Sequence, residues 1–194
     1  MALNEQGEVA ALKKEVQLLR EQVGRLHDRQ AIHDVMVRYT HALDCHDWDA
    51  LLEEVFHPDA MVDYGVTSFG AIAGTPRFLC EQLEPIYERE YHWHYHFMGN
   101  HWAELQGDTA HAQTYCVTYA LRKDGKGIRS LHIRYLDILE KREGRWKLSL
   151  RRMLLDAQSE ISAKAEGISE RRWDRSDPSY QRPYGIPSDR KFMK

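Results

Sequence analysis

The chain has 194 residues, of which 42% are hydrophobic and 29% charged, and its formal net charge is −3, which is the composition of a globular protein of about one domain. The near-neutral charge and the mean hydropathy of −0.65 favour neither nucleic acid nor a membrane as a partner. Residues 1–7 lack the apolar core of a signal peptide, and the three cysteines have no CxxC spacing, so we expect reduced thiols in a cytoplasmic protein.

The first predicted element is a helix over residues 1–27 with a narrow apolar seam. Valine and leucine alternate along this seam, three and four residues apart, at Val9, Leu12, Val16, Leu19, Val23 and Leu26. A seam of this kind is covered either by a helix of another subunit or by the body of the same chain. Valine at one core position and leucine at the other favour two parallel strands in isolation, so we expect a homo-oligomer.

A central domain is predicted over residues 28–158, and its first half is mainly helical. The helices and the one short strand predicted there cover residues 28–45, 48–55, 60–64 (the strand) and 76–88. Asp47 and Thr75 stand where N-caps are expected, and a proline follows Thr75 at the first helical position.

The second half of the domain is predicted to be a meander of long antiparallel strands. These strands cover residues 91–97, 110–121, 128–141 and 146–155, with hairpin-type turns between them. Helices followed by such a meander indicate an α+β fold, with a pocket between the helices and the sheet. Residues 159–194 are polar and proline-containing and are predicted to form an extended C-terminal arm.

Several short motifs follow one another in a characteristic order. They are Asp28-Arg-Gln-Ala-Ile-His-Asp34, Tyr39, Asp44, Val55-Phe-His-Pro-Asp59, His96 with Asn100, Arg134-Tyr-Leu-Asp137 and Gly144-Arg-Trp-Lys147. Over residues 26–156 this pattern resembles the SnoaL-like branch of the nuclear-transport-factor-like superfamily. The resemblance implies a cone-shaped α+β barrel, in which a curved, mostly antiparallel sheet wraps around helices and encloses an apolar cavity. It also implies a dimeric or trimeric assembly.

The resemblance implies a catalytic pair. Elimination and isomerisation enzymes of this superfamily use a histidine base oriented by an aspartate, and the matching positions here are His96 and Asp44. A neutral imidazole is a competent base near neutral pH, and a carboxylate on its other nitrogen fixes the tautomer. The alternatives are that Asp44 makes only a local bond at the end of its helix and that His96 faces solvent.

Tyr39 and Arg151 are expected to assist this pair. The position of Tyr39 matches a donor tyrosine of related dehydratases, so the resemblance implies that it protonates a leaving hydroxyl or binds an oxyanion. Arg151 is expected to stabilise a phenolate or alkoxide. The alternatives are a core tyrosine and a salt bridge from Arg151 to Asp137 or Glu140.

The substrate-binding residues are expected on the inner face of the sheet. Strand alternation assigns His92 and His94 to the face of His96. The resemblance assigns inward positions on the following two strands to Tyr115, Val117, Tyr119, Leu131, Ile133 and Tyr135. The residues expected to bind substrate are Val62, Tyr64, Tyr91, His94, Val117, Tyr119, Leu131 and Tyr135. Such a lining suits a flat, apolar, hydroxylated ligand.

The histidines 92, 94 and 96 also raise a metal hypothesis, with a third ligand from Asp44, His101 or His132. The resemblance implies no metal, and we expect no cofactor. The predicted function is a cofactor-independent lyase that acts on a hydrophobic aromatic small molecule by acid–base elimination. In its most specific version, suggested by the resemblance to diarylpropane lyases, a lignin-derived diarylpropane loses its benzylic hydroxyl through a quinone methide and releases formaldehyde. The alternatives are a dehydratase, cyclase or isomerase of a steroid or polyketide, and a non-catalytic ligand-binding module.

Overall fold

A computed structural model describes residues 2–67, 70–163, 172 and 174–180. Its helices are α1 (Ala2–Asp44), α2 (Trp48–Ala50), which continues as a π-helical stretch (Leu51–Val55), α3 (Pro76–Glu90) and a 3₁₀ turn (Pro178–Tyr180). Its strands are β1 (Phe56–Thr67), β2 (Gly70–Gly74), β3 (Tyr91–Gln106), β4 (Thr109–Arg122), β5 (Ile128–Arg142) and β6 (Arg145–Ile161). The predicted α+β class is confirmed. None of the described helices is both long and apolar enough to cross a lipid bilayer.

The six strands form one mixed sheet in the order β2-β1-β6-β5-β4-β3. Only β1 and β6 run parallel; the other neighbours are antiparallel. The sheet is not closed, and β2 and β3 form its two edges. Its inner face packs on the C-terminal half of α1, so the architecture is the cone expected from the sequence.

Helix α1 is continuous where the sequence predicts two helices that meet at Asp28. The apolar stripe changes sides along it: Ile32 follows Val23 by nine residues, which is two and a half turns of a helix with 3.6 residues per turn. Residues on the Ile32 side are buried against the sheet, whereas Val23 is 63% exposed. The change of phase breaks the hydrophobic pattern but does not break the helix, because no proline interrupts it.

A bulge in β3 determines which residues of β3 share the inner face with the even-numbered residues of β4. His101 pairs with Thr114, but Met98 pairs with Cys116, so residues 99 and 100 together oppose a single residue of β4. An extra residue of this kind reverses the inward and outward alternation beyond it.

Beyond the bulge His96 pairs with Thr118. If the register set by the β3–β4 turn continued without a bulge, His96 would pair with Tyr119 instead. Tyr119 lies on the outer face, where its ring stacks on that of Tyr95 with 5.1 Å between centroids. The predictions that Tyr115, Val117 and Tyr119 point inward are therefore wrong. The inner face of β4 carries small residues instead, which leave room for α1 and a cavity: Ala110, Ala112, Thr114, Cys116, Thr118 and Ala120.

A second irregularity in β3 lies at its beginning. Tyr91 pairs with Arg122 and Trp93 with Leu121, so His92 has no opposite residue. Tyr91 is buried as a result and His92 is exposed, which corrects the prediction that His92 shares the face of His96.

The described segment of the C-terminal arm, residues 174–180, packs on its own chain beside the end of α1. Tyr180 donates its hydroxyl to Asp47 at 3.0 Å, and the Arg175 guanidinium donates to the same carboxylate at 3.0 and 3.3 Å. Asp47 also caps α2 by accepting from the Ala50 N–H at 3.1 Å. The remainder of the predicted arm, residues 164–171, 173 and 181–194, lies outside the described residues.

Replacing Asp47 with serine is expected to release this segment without uncapping α2. Serine is a good N-cap but removes the carboxylate to which Arg175 and Tyr180 donate. Hydrogen exchange of amides 174–180 is expected to accelerate about three- to tenfold, since the lost bonds are partly solvent-exposed. Exchange of the amides in α2 serves as the control, and an unchanged rate in the arm contradicts this docking.

The same contact is expected to depend on pH. Burial raises the pKa of Asp47, but hydrogen bonds from Ala50, Arg175 and Tyr180 outweigh it and lower that pKa below its ordinary value of 3.8. The stabilisation is therefore present above pH 3.8 and is lost as the pH falls through the lowered pKa.

Candidate active site

An apolar cavity of about 110 Å³ lies between the end of α1, helix α3 and the inner face of the sheet. Six of the residues singled out from the sequence as binding or catalytic line it: Tyr64, Tyr91, His94, His96, Leu131 and Tyr135. Two predicted binding residues, Val117 and Tyr119, do not, because they lie on the outer face. Val62 is also absent from the wall: it is 1% exposed, and its neighbour on β6 is the buried Arg151, so it belongs to the core below the cavity.

His96, which lines the cavity, is paired with Asp44 at the end of α1. His96 donates its Nδ1–H to Asp44 Oδ1 at 2.6 Å, and its backbone N–H donates to Asp44 Oδ2 at 3.1 Å. The side chains of His96 and Asp44 are only 5% and 16% exposed. A carboxylate accepts but does not donate, so the proton lies on Nδ1 and Nε2 is the basic nitrogen.

Local structure explains how the helix and the strand meet here. Helix α1 ends at Asp44, and His46 follows with φ of 54°, the left-handed conformation that commonly ends a helix. His94 donates its Nε2–H to the carbonyl oxygen of Leu43 at 3.1 Å and so satisfies an acceptor of the last turn. Two histidines of one strand thus hold the end of α1, one by a carbonyl and one by a carboxylate.

The same contacts bear on the metal hypothesis. Ligand atoms of Asp44, His94 and His96 lie within 4.8 Å of one another, and within the described part of the chain these residues form the group that could hold a cation. However, His96 Nδ1 is bonded to Asp44 and His94 Nε2 to Leu43, so a cation bound through these atoms would have to displace both hydrogen bonds. His92 and His132 are exposed, and His101 Nδ1 lies 2.8 Å from Thr114 Oγ1.

Tyr39 does not line the cavity but is hydrogen-bonded to a residue that does. It is completely buried, and its hydroxyl is hydrogen-bonded to that of Tyr64, which does line the cavity. Burial raises the pKa of Tyr39 to about 12, so this phenol keeps its proton at physiological pH. The structure therefore corrects the prediction that Tyr39 meets the substrate, because Tyr39 lies behind its partner Tyr64 and does not line the cavity.

Arg151 is also displaced from its predicted role. It is 1% exposed and donates to Asp137 from Nε at 2.8 Å and from Nη2 at 2.7 Å. Its guanidinium carbon lies 3.9 Å from the ring centroid of Tyr39 and 4.1 Å from that of Tyr135. Burial alone would lower the pKa of Arg151, but the facing carboxylate raises it above its ordinary value, so the guanidinium stays charged, while burial raises the pKa of Asp137. The structure thus shows the alternative, a salt bridge to Asp137, and Arg151 does not line the cavity.

Helix α3 and strand β2 contribute wall residues that the sequence analysis missed, namely Ile72, Leu83, Ile86 and Tyr87. Within α3 the signal was present, because its buried residues recur at helical spacing along one face. Tyr87 packs its ring 4.1 Å from that of His94, and burial raises the pKa of Tyr87 well above its ordinary value.

Comparison with known proteins places this chain in a known fold. The family described as SnoaL-like domain matches residues 24–152. A solved hexachlorocyclohexane dehydrochlorinase, LinA type 2, superposes with a TM-score of 0.65 at 19% identity, over 76% of this chain and 99% of that one. A candidate scytalone dehydratase of Novosphingobium aromaticivorans gives 0.62 at 21% identity, over 75% of this chain and 97% of that one.

A third solved structure is more similar in sequence. It is a candidate aromatic ring hydroxylase of Novosphingobium aromaticivorans, with 28% identity and a TM-score of 0.59, over 70% of this chain and 94% of that one. A search of curated protein sequences gives no significant match. The likeness to the first two structures, at under 25% identity, shows a shared fold.

Proposed function

The chain belongs to the SnoaL-like family, and we propose that it is a cofactor-free lyase that removes a leaving group from a hydrophobic aromatic small molecule by acid–base elimination. The observation that carries this proposal is the hydrogen bond between Asp44 and the side chain of His96, which lines an apolar cavity. The names of the dehydrochlorinase and of the candidate dehydratase, both eliminating enzymes, support the same reaction type.

In this reaction His96 is the base. Its Nε2 takes a proton from a substrate carbon, and the electron pair of the broken C–H bond forms the new double bond while the leaving group departs. Asp44 holds the ring in the productive tautomer and stabilises the imidazolium that forms. In an apolar cavity this compensation matters, because an isolated buried cation is costly.

Tyr64 is the proton donor to the leaving group. It lines the same cavity as His96, and its hydroxyl is bonded to that of the buried Tyr39. When Tyr64 gives its proton to a departing hydroxyl, water leaves, and Tyr39 stabilises the Tyr64 phenolate by donating to it. The His96 imidazolium then gives its proton to solvent, and the Tyr64 phenolate takes up a proton from solvent. Both groups are thereby restored for the next turnover.

The lining indicates the substrate class. Four phenol side chains, Tyr64, Tyr87, Tyr91 and Tyr135, share the wall with aliphatic residues, and aromatic faces of this kind suit a flat ring. At about 110 Å³ the cavity is smaller than the about 300–1,000 Å³ typical of sites for drug-sized ligands. A single aromatic ring is therefore the part of the substrate that we place inside.

The finer form of the proposal is a lignin-derived diarylpropane with one aryl ring in the cavity. In this version His96 takes the proton of a para-hydroxyl on that ring, the benzylic hydroxyl leaves as water with a proton from Tyr64, and a quinone methide forms. The quinone methide then accepts the electron pair of the adjacent C–C bond, the hydroxymethyl group gives up its O–H proton to solvent and departs as formaldehyde, and the ring phenolate takes up a proton from solvent. The phenol-rich wall supports this version because it offers hydrogen bonds to a phenolic substrate.

A substrate panel with product mass as the readout tests the proposal. The panel contains para-hydroxyphenyl propanoids and diarylpropanes, a chlorinated ring, a hydroxysteroid and a polyketide. A product lighter by the leaving group supports the lyase, and formaldehyde release singles out the diarylpropane version. An unchanged mass identifies an isomerase or cyclase, and saturable binding without turnover identifies a binding module; either result overturns the proposal.

Replacing Tyr64 with phenylalanine is expected to lower kcat by about 10²-fold, because the donor hydroxyl is lost while the ring still fills the wall. Substrate affinity is expected to change little. Tyr119→Phe is the matched control: it removes a phenol hydroxyl from the outer face and is expected to leave kcat within about twofold. Equal kcat values for the two variants contradict the donor role.

A further inference from the structure

The N-terminal half of α1 leaves its apolar seam uncovered in the described structure. The six seam residues are between 45% and 67% exposed, although they are valines and leucines: Val9, Leu12, Val16, Leu19, Val23 and Leu26. A continuous stripe of this kind on a protruding helix is typical of a partner-binding surface.

The seam faces away from the body of its own chain. Residues buried against the sheet begin with Ile32, which lies half a turn around the helix from Val23. The side of α1 that carries the seam is therefore opposite the side that carries the cone. Lys141 of the cone borders the groove beside Val16, Leu19 and Val23, so a second helix on the seam lies next to this lysine near its C-terminal end.

The charges beside the seam favour a second copy of the same helix in parallel orientation. With the valines at heptad position a and the leucines at d, the g positions are Glu8, Glu15 and Gln22, and the e positions are Lys13, Arg20 and His27. In a parallel pair, each g residue faces the e residue five positions later in the partner, so Glu15 meets Arg20 of the partner subunit. In an antiparallel pair, g faces g and e faces e, which brings like charges together.

We propose that α1 binds a second copy of this chain through Val9–Leu26 as a parallel two-stranded coiled coil. The β-branched residue at a and leucine at d also favour two strands over three. The two cones then lie at the same end of the coil, on opposite flanks. This assembly is independent of the reaction assigned to the cavity.

Two neighbouring leucines provide a matched test. Leu18 and Leu19 are 51% and 52% exposed, but only Leu19 lies on the seam. In light scattering over a concentration series, the parent protein is expected at twice the chain mass of 22.8 kDa. Leu19→Lys is expected to raise the dimer dissociation constant at least about 100-fold, since two leucines per dimer lose their apolar contacts. Leu18→Lys is expected to leave it unchanged, and lysine preserves helix propensity in both variants.

A cysteine cross-link tests the direction of the helices. In a parallel pair, position 9 meets its own copy, whereas in an antiparallel pair it meets position 26. Val9→Cys is therefore expected to form a disulfide-linked dimer on oxidation, and Lys14→Cys, on the outer side of the coil, is not. The native cysteines Cys45, Cys80 and Cys116 are buried and do not compete. A monomeric or trimeric parent, equal behaviour of the Leu18 and Leu19 variants, or a Val9→Cys dimer without cross-link overturns the proposal.

Discussion

Replacing His96 with alanine is expected to lower kcat/KM by about 10²–10⁴-fold, the usual contribution of general acid–base catalysis. The reason is that Nε2 of His96 is the basic nitrogen in the cavity wall and its Nδ1 proton is fixed by Asp44. Asp44→Asn is expected to cost up to about 10⁴-fold, because the amide can donate to Nδ1 and so favours the tautomer in which Nε2 carries the proton. Steady-state kinetics on the substrate found in the panel measure both effects.

The two residues act as a unit, so their effects should not multiply. The double variant Asp44→Asn/His96→Ala is expected to be about as slow as the slower single variant. His92→Ala is the control, since His92 is an exposed histidine of the same strand. Full activity in either single variant, or a double loss equal to the product of the single losses, contradicts the assigned dyad.

The contact between Asp44 and His96 could be predicted from the sequence because it does not depend on the exact register of the strands. Asp44 lies at the last turn of a strongly patterned helix, and His96 lies in the middle of a long strand. The caps at Asp47 and Thr75 are likewise local, and both side chains accept the hydrogen bonds expected of N-caps. An N-cap depends only on a few neighbouring residues, so it can be predicted from the sequence alone.

The positions of Tyr119 and Thr118 could not be anticipated in the same way. They depend on one extra residue near Gly99, and a β-bulge leaves little trace in a single sequence. The aromatic residues of β4 suit a cavity wall chemically, but β4 alternates without interruption, and the bulge in β3 places His96 opposite Thr118 rather than opposite Tyr119. The direction of a side chain in a long strand is thus set by register, and residue type alone does not fix it.

Arg151 illustrates a different limit. Its sequence context admits both a catalytic cation and a structural ion pair, and the choice is made by strand pairing, which sets Asp137 directly opposite Arg151. Once the two groups face each other in the core, the attraction between them and the two ring faces beside the guanidinium keep the charge in place. The Arg151 guanidinium packs on the ring of Tyr39 and so helps to fix its position. The hydroxyl of Tyr39 is in turn hydrogen-bonded to that of Tyr64.

Breaking the Arg151–Asp137 pair is expected to cost about 3–5 kcal/mol of the free energy of unfolding, because either single change leaves an unpaired charge in the core. The side chains of Arg151 and Asp137 are 1% and 0% exposed, so solvent cannot compensate. Arg151→Met and Asp137→Leu are therefore both expected to shift urea unfolding strongly. Arg134→Ala is the matched control on the same two strands. It breaks a bidentate pair with Asp156 that is 32% and 40% exposed, and it is expected to cost at most about 1 kcal/mol.

The double variant Arg151→Met/Asp137→Leu distinguishes a role of the ion pair in stability from a role in the reaction. Replacing both charges with apolar residues of similar size is often neutral or stabilising, so most of the lost stability is expected to return. If the guanidinium only supports the core, kcat should return with it, since Asp44, His96 and Tyr64 keep their places. A double variant with recovered unfolding free energy and a kcat still reduced about 10²-fold or more would assign the cation a second role. In that case its field, acting through the Tyr39 ring 3.9 Å away, favours proton donation at Tyr64.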